Sequence, residues 1–419
     1  MRVLRATTRA IALVAALAAA VAPAQVVLDT PAVTLAREDL AKGRYLAAID
    51  ALEAAAFNPD GSRKDAVAAA FWRQVAPFIT NEADPAAFHR TTKPEVPDTA
   101  AAARFSQASP RDAIADIVRR ARSTSIVILN EAHYSPRDRA FALDVARALR
   151  PLGYSTLAVE GLRNRPAKAE PASATDLLKR DGFARLETGY YVRDPVFAGF
   201  LREALRAGYT PVAYEMTAAQ DLAGDSIAVR EQAQADNLMA AIFRDRPNAK
   251  VLIYVGHAHV AETAIEDGRA VASEWMAARL KRMTGINPLT IDQTTVTDLS
   301  QPMRAAYAMA SAKIGTRPAI FYAGGKPLVV GYEGVVDIQV VHPRRRYRNG
   351  RPTWLATLGG QSRTIPPRLV PTRGRRLIQA FARGAPSDAI PLDQIAVTAG
   401  RPVPKMMVPK GPIEFRTQP

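Results

Sequence analysis

From Ser125 onward the sequence alternates short β-rich runs with longer helical patterns, and that alternation is the strongest constraint on its fold. Parallel strands need long crossovers, and a helix after each strand supplies them. The β-rich runs are 125–129, 155–159, 210–214, 250–255 and 289–292, with helical patterns at 136–150, 196–207, 227–244 and 273–283 between them. Short runs at 319–322, 327–331 and 335–341 read as an antiparallel extension. The expectation is an α/β fold with a mostly parallel central sheet flanked by helices. Ahead of it lies an Ala-rich stretch with helical patterns at 40–54, 66–76 and 112–122, read as a helical prelude.

The chain carries 56 basic and 40 acidic residues, a net charge of +16. From Arg344 to Pro419 there are 15 basic and 3 acidic residues, so the excess is concentrated in the last segment. Such a segment reads as a solvated tail, or one that adsorbs to anionic envelope surfaces, and not as the footprint of a nucleic-acid binder. The expected divisions are therefore 1–24, 25–120, 121–343 and 344–419. With no cysteine, the chain has no disulfide, thiolate metal site or thiol nucleophile.

Arg2, Arg5 and Arg9 precede an apolar run at 11–21 and then Ala22-Pro23-Ala24, the pattern of a secretory signal peptide cut before Gln25. The run is shorter than the ~20 residues that span a bilayer. Export to the periplasm as a soluble protein is the expectation.

In open α/β sheets ligands bind beyond the carboxyl ends of the strands. Those ends read Asn130-Glu131-Ala132-His133, Glu160-Gly161, Glu215 and Gly256-His257-Ala258-His259. A shared site of Glu and His is one reading, and a solvated polar rim is the other. Ser135-Pro136-Arg137-Asp138 carries helix-start signals, which places His133 beside a helix N-terminus, a setting that suits a general base or a metal ligand.

Arg230, Gln234 and Asn237 fall on one helical stripe. Arg230 could hold an anionic group or orient a carboxylate, although a solvated helix face accounts for the stripe as well. His257 and His259 would face the same side of an extended backbone and could share a metal. His89 and His342 have no partner visible in sequence and read as structural or surface residues. The chain lacks a Gly-x-Ser-x-Gly elbow, a Walker loop and a strand-following Gly-x-Gly-x-x-Gly.

Over roughly residues 125–292 the chain resembles the superfamily that joins erythromycin esterases, ChaN-like haem-binding proteins and the Tiki and TraB proteins. Asn130-Glu131-Ala132-His133 is similar to their Gly-Glu-x-His, and Ala158-Val159-Glu160 to their second strand end. Arg230 to Asn237 resembles the Arg-Asp-x-x-Met-Ala-x-Asn helix of the esterases, and Gly256-His257-Ala258-His259 their His-Asn-Ala-His. The last piece is also similar to the Gly-x-x-His of the ChaN and Tiki groups. Asn130 replaces Gly, Glu231 replaces Asp and Gly256 stands where the esterases have His.

The resemblance implies a functional cluster of Glu131, His133, Glu160, Arg230 and His259. An esterase-like version would hydrolyse an ester or lactone without metal, with His133 as base. A Tiki-like version would act on a peptide-type bond, with a divalent metal held from among His133, Glu131, Glu160, Glu215, His257 and His259. A ChaN-like version would bind haem or iron without catalysis, assisted by Tyr190, Tyr191 or Tyr254. The partner is accordingly a small-molecule substrate or haem.

Overall fold

A computed structural model of the chain describes residues 30–92, 95–165, 172–221, 227–265 and 274–418. The expected signal peptide lies outside these residues. The centre is a nine-stranded sheet formed by β1 (Ser109–Asp112), β2 (Ile126–Glu131), β3 (Thr156–Val159), β4 (Thr210–Ala213), β5 (Val251–Gly256), β6 (Leu289–Asp292), β7 (Ala319–Ala323), β8 (Lys326–Pro327) and β9 (Ile338–Val341). Its order is β1-β7-β9-β6-β2-β5-β3-β4, with β8 paired to β7. From β9 to β4 every pairing is parallel, whereas β7 runs antiparallel to its neighbours. The α/β expectation holds.

Strand alternation divides the core. Val127, Leu129, Leu157, Val159, Leu252 and Tyr254 face a layer with Phe141, Val145, Phe197 and Phe200, from helices Pro136–Leu149 and Pro195–Arg206. Ile126, Ile128, Ala158, Val251, Ile253 and Val255 face the other layer, with Leu238, Met276 and Leu280 from Ile227–Leu238 and Met276–Thr284. Because both faces are covered, the central strands read as apolar runs.

Several local expectations are corrected. The prelude breaks its first helix at Gly43, whose φ is 72°, giving helices Pro31–Ala41 and Tyr45–Ala56. Ser109–Asp112, within that supposedly helical stretch, adds an edge strand to the main sheet. The run at 327–331 is reduced to a two-residue strand, Lys326–Pro327, paired with β7, beyond which Leu328 donates its N–H to the Phe321 carbonyl at 2.8 Å.

The basic C-terminal segment is a packed part of the protein. Arg375–Ala382 pairs with Asp393–Thr398 and Ile413–Gln418 in an antiparallel sheet, and Ile378, Ala380, Val397, Met406 and Val408 are buried beneath it. Leu377 joins the apolar cluster of the N-terminal helices, and Ala396 donates its N–H to the Ile79 carbonyl at 3.0 Å. The fully enclosed Arg351 guanidinium bonds Asp393 and Asn81. Alternating apolar residues at 377–381 and 395–397 outweigh the segment's charge, because each arginine needs only its tip in water or in an ion pair.

Candidate functional site

The parallel strands β2, β5, β3 and β4 lie side by side, so the residues that follow them meet at one end of the sheet. Glu131 continues the alternation of Val127 and Leu129 and therefore points into the core layer, where a carboxylate requires partners. Arg139, fully buried on the helix after β2, bonds Glu131 through Nε at 2.7 Å and Nη2 at 3.0 Å. Tyr254 donates its hydroxyl to Glu131 Oε2 at 2.9 Å. Arg139 also bonds buried Asp194 at 2.6 Å and the His133 carbonyl at 2.8 Å. Burial pushes the Glu131 carboxyl up, but Arg139 and the His133 bond outweigh it and hold it down to about 2.

Oε1 of Glu131 lies 2.8 Å from Nδ1 of His133. That contact orients the imidazole and leaves Nε2 on the opposite side, with no hydrogen bond among the described residues. Tyr191 stacks on the ring at 4.0 Å and 15°. The Cα of Gly256 lies against the ring, so that a Cβ there would sit 2.7 Å from Nε2 and 3.1 Å from Glu160 Oε2. The side chain of His133 is still 15% exposed, enough for water or a ligand to reach it.

The second half of the site is built on Glu160. One oxygen accepts the Gly256 N–H, and the other lies 2.7 Å from Arg230 Nη2 and 3.3 Å from His259 Nε2. Burial alone would raise its pKa, yet His259, Arg230 and His133 pull it well below the usual carboxylate range. Arg230 also grips Glu215 through Nε at 3.1 Å and Nη2 at 2.9 Å, leaving Nη1 beside His259. Gln234 bonds Glu215 Oε1, and Asn237 bonds the carbonyls of Tyr214 and Glu215. The stripe thus clamps the end of β4.

His259 Nδ1 lies 2.8 Å from Glu231 Oε2, and buried Glu231 also accepts the Met276 N–H at 2.7 Å. Burial disfavours the charged ring, but Glu160 and Glu231 outweigh it and raise the His259 pKa. Nε2 of His259 lies between Glu160 and Nη1 of Arg230; a protonated ring would offer Nε2–H to Glu160 and leave the hydrogens of Nη1 to another acceptor.

Glu131, His133, Glu160, Glu215, Arg230 and His259 therefore share one place. His257 departs from expectation: the backbone enters a 3-10 turn at His257–Val260, with φ of 35° at His257, and strand alternation ends there. Its ring faces His133 at 5.4 Å and Tyr134 at 6.1 Å, whereas His259 packs edge-on against Trp275. Burial and the neighbouring His133 push the His257 pKa down to about 3. Tyr191 covers His133 and Tyr254 supports Glu131, while Tyr190 packs on Phe71 of the N-terminal helices and its buried hydroxyl has no partner among the described residues.

Among the described residues no three His, Asp or Glu side chains are grouped to hold a metal ion. Arg230 stands between Glu160 and Glu215, and Arg139 engages Glu131. The three carboxylates named from sequence, Glu131, Glu160 and Glu215, are thus already matched to guanidinium groups, an arrangement that fits a bound cation poorly.

Asn130, the departure from Gly, lies on the opposite strand face from Glu131. It bonds Asp292 at 2.8 Å and the His257 carbonyl at 3.1 Å, and accepts the Gln293 N–H at 2.8 Å. Gln293 in turn meets His342 Nε2 at 2.8 Å, which supplies the partner that the sequence did not show. Arg139 and Asp194 were also missed. Their signal was available: Arg139 stands on the helix face of Ala142, Leu143 and Ala146, where a guanidinium must have a buried partner.

No family model and no curated protein matches the chain. Two solved structures titled "Bacterial protein toxins" and "Crystal structure of bacterial protein toxins" align with TM-scores of 0.32 and 0.34, each at 15% identity over 63% of this chain. The match spans 57% of each of those chains. No helix among the described residues is long and apolar enough to cross a membrane.

Proposed function

We propose that the protein is an exported hydrolase that cleaves an ester or lactone without a metal. The observation that carries this reading is the Arg139–Glu131–His133 chain, which ends in an imidazole nitrogen with no hydrogen bond among the described residues, on a side chain that is partly exposed. Glu131 fixes the ring and stabilises the imidazolium that forms when Nε2 takes a proton from water. The hydroxide attacks the carbonyl, and charge develops on its oxygen. Arg230 Nη1 donates to that oxyanion, and the charge of a protonated His259 beside it adds to the field. The His133 imidazolium then returns its proton to the leaving alkoxide. Tyr191 and Gly256 bound the ring on two sides and restrict its movement.

A panel of short-chain and lactone esters, assayed with a chelator present, tests the reading. Turnover that survives chelation supports it, and turnover restored only by added divalent metal points to the Tiki-like chemistry. Haem added to the same protein tests the ChaN-like alternative: a Soret shift without turnover would replace the hydrolase reading. Tyr254 bonds Glu131, so its hydroxyl is already engaged and lends that alternative no free ligand.

A further inference from the structure

Arg139 and Arg230, the two guanidinium groups of the site, are each matched with two carboxylates. Arg73 breaks the pattern. It lies on the helix Ala66–Val75 with its Nε inaccessible and unpartnered, and no carboxylate lies within ion-pair distance among the described residues. Its guanidinium sits over the rings of Phe88 at 5.0 Å and Tyr134 at 5.6 Å. Arg63 approaches the same spot: Arg63 Nη1 bonds the Thr91 carbonyl at 2.9 Å, and Arg73 Nη1 bonds the Thr91 hydroxyl at 3.3 Å. Arg63 has no carboxylate partner there either.

Two guanidinium groups gathered on one threonine repel each other. Aromatic faces offset part of the desolvation of Arg73, but they supply no formal countercharge. Burial lowers the Arg73 pKa, Tyr134 opposes that, and Arg63 adds to it. Tyr134, beneath Arg73, immediately follows His133 and faces His257, so the pair stands at the edge of the site. The charges are opposed in space: the strand ends and the helix Ile227–Leu238 hold Glu131, Glu160, Glu215 and Glu231 against Arg139 and Arg230, whereas Arg73 and Arg63 stand without a carboxylate partner among the described residues.

We propose that Arg73 and Arg63 form an oxyanion subsite that receives a carboxylate or phosphate group of the substrate, while its reacting carbonyl lies over His133. This deepens the hydrolase reading and rests on it for the second half of the statement. The subsite itself requires no turnover.

The test is calorimetric titration of the purified full chain at low ionic strength with inorganic phosphate and, separately, with acetate. Phosphate or acetate should bind the wild type, and whichever binds tighter identifies the group. Arg73→Gln should weaken binding roughly tenfold or more, the loss of a charged hydrogen bond. Arg63→Gln, on the exposed rim, should weaken it in the same direction, and Arg282→Gln, on the helix Met276–Thr284, should leave it unchanged. No binding by the wild type, or unchanged affinity in Arg63→Gln, would overturn the subsite even if Arg73→Gln failed to fold. Ester turnover with no anion binding removes the subsite and leaves the hydrolase. Anion binding lost in Arg63→Gln, with no ester cleaved, supports the subsite and removes the hydrolase.

Discussion

The imidazole of His133 rests directly on the Cα of Gly256: a Cβ at that position would fall 2.5 Å from Cε1 and 2.7 Å from Nε2. Gly256 is therefore required by a close approach and not by its backbone angle, since its φ of −86° is open to any residue. Gly256→Ala should push the ring away from Glu160 and lower kcat/KM about 100-fold, the cost of misplacing a reacting group. Its stability should fall by about 1–3 kcal/mol, the usual cost of overpacking. Initial rates and urea melts on the same variant check both figures.

Arg139 is enclosed between Glu131 and Asp194. Removing it leaves two buried carboxylates without their cation, so Arg139→Ala should cost about 3–5 kcal/mol in urea denaturation. Arg139→Lys keeps the charge but cannot make the forked contact, and should fall between that variant and the wild type.

Asp138 accepts the Ala132 N–H at 3.0 Å and the Ser135 hydroxyl at 2.7 Å, just behind His133. Burial nonetheless raises its pKa to about 7. An acid whose folded pKa lies above its unfolded value makes the fold bind more protons, so stability should decline as pH rises from about 4 through 7. Asp138→Asn imitates the protonated form. It should melt higher than wild type at pH 8, by at most about 4 kcal/mol of stability, and close to wild type at pH 4. Thermal melts at the two pH values decide this.

His259 is held between Glu160 and Glu231, which raise its pKa above the ordinary imidazole value. Stability from this pairing is present below the unfolded pKa and is lost as pH rises through the folded one. Glu231→Gln should bring the His259 titration downward when followed by NMR, and the alkaline limb of the rate profile should move with it. A titration unchanged in Glu231→Gln would mean that Glu231 does not help hold the charge on His259.

The parallel sheet was legible because apolar runs and helical patterns alternate, and strand ends could then be compared by position. Glu131, His133, Glu160, Glu215 and His259 were found in this way, and Arg230 by the helical stripe it shares with Gln234 and Asn237. Arg139, Asp194 and the Asn130–Gln293–His342 network were not, since each depends on contacts between segments far apart in sequence. His257 was misplaced because alternation describes a strand, and β5 ends one residue before it. The C-terminal sheet was obscured by net charge, a property of side-chain tips that says little about the backbone beneath.

That sheet leads to another expectation. Ending the chain before Arg344 would uncover the N-terminal helix cluster at Leu377 and strip the helices of contacts such as Ile79 with Ala396. The shortened protein should lose its cooperative melt or melt well below the full chain. An unchanged melting temperature would mean that the segment is dispensable to the fold.

The central claim is that His133 acts as the base of a metal-independent hydrolase. The most direct measurement is the chelator-treated rate of ester hydrolysis by the wild type and by His133→Gln, with folding confirmed by circular dichroism. The account predicts that the wild type turns over and that His133→Gln loses about 10²–10⁴ in kcat, the usual contribution of general-base catalysis. Equal rates in the two proteins, or no hydrolysis by the wild type until a divalent metal is restored, would contradict it.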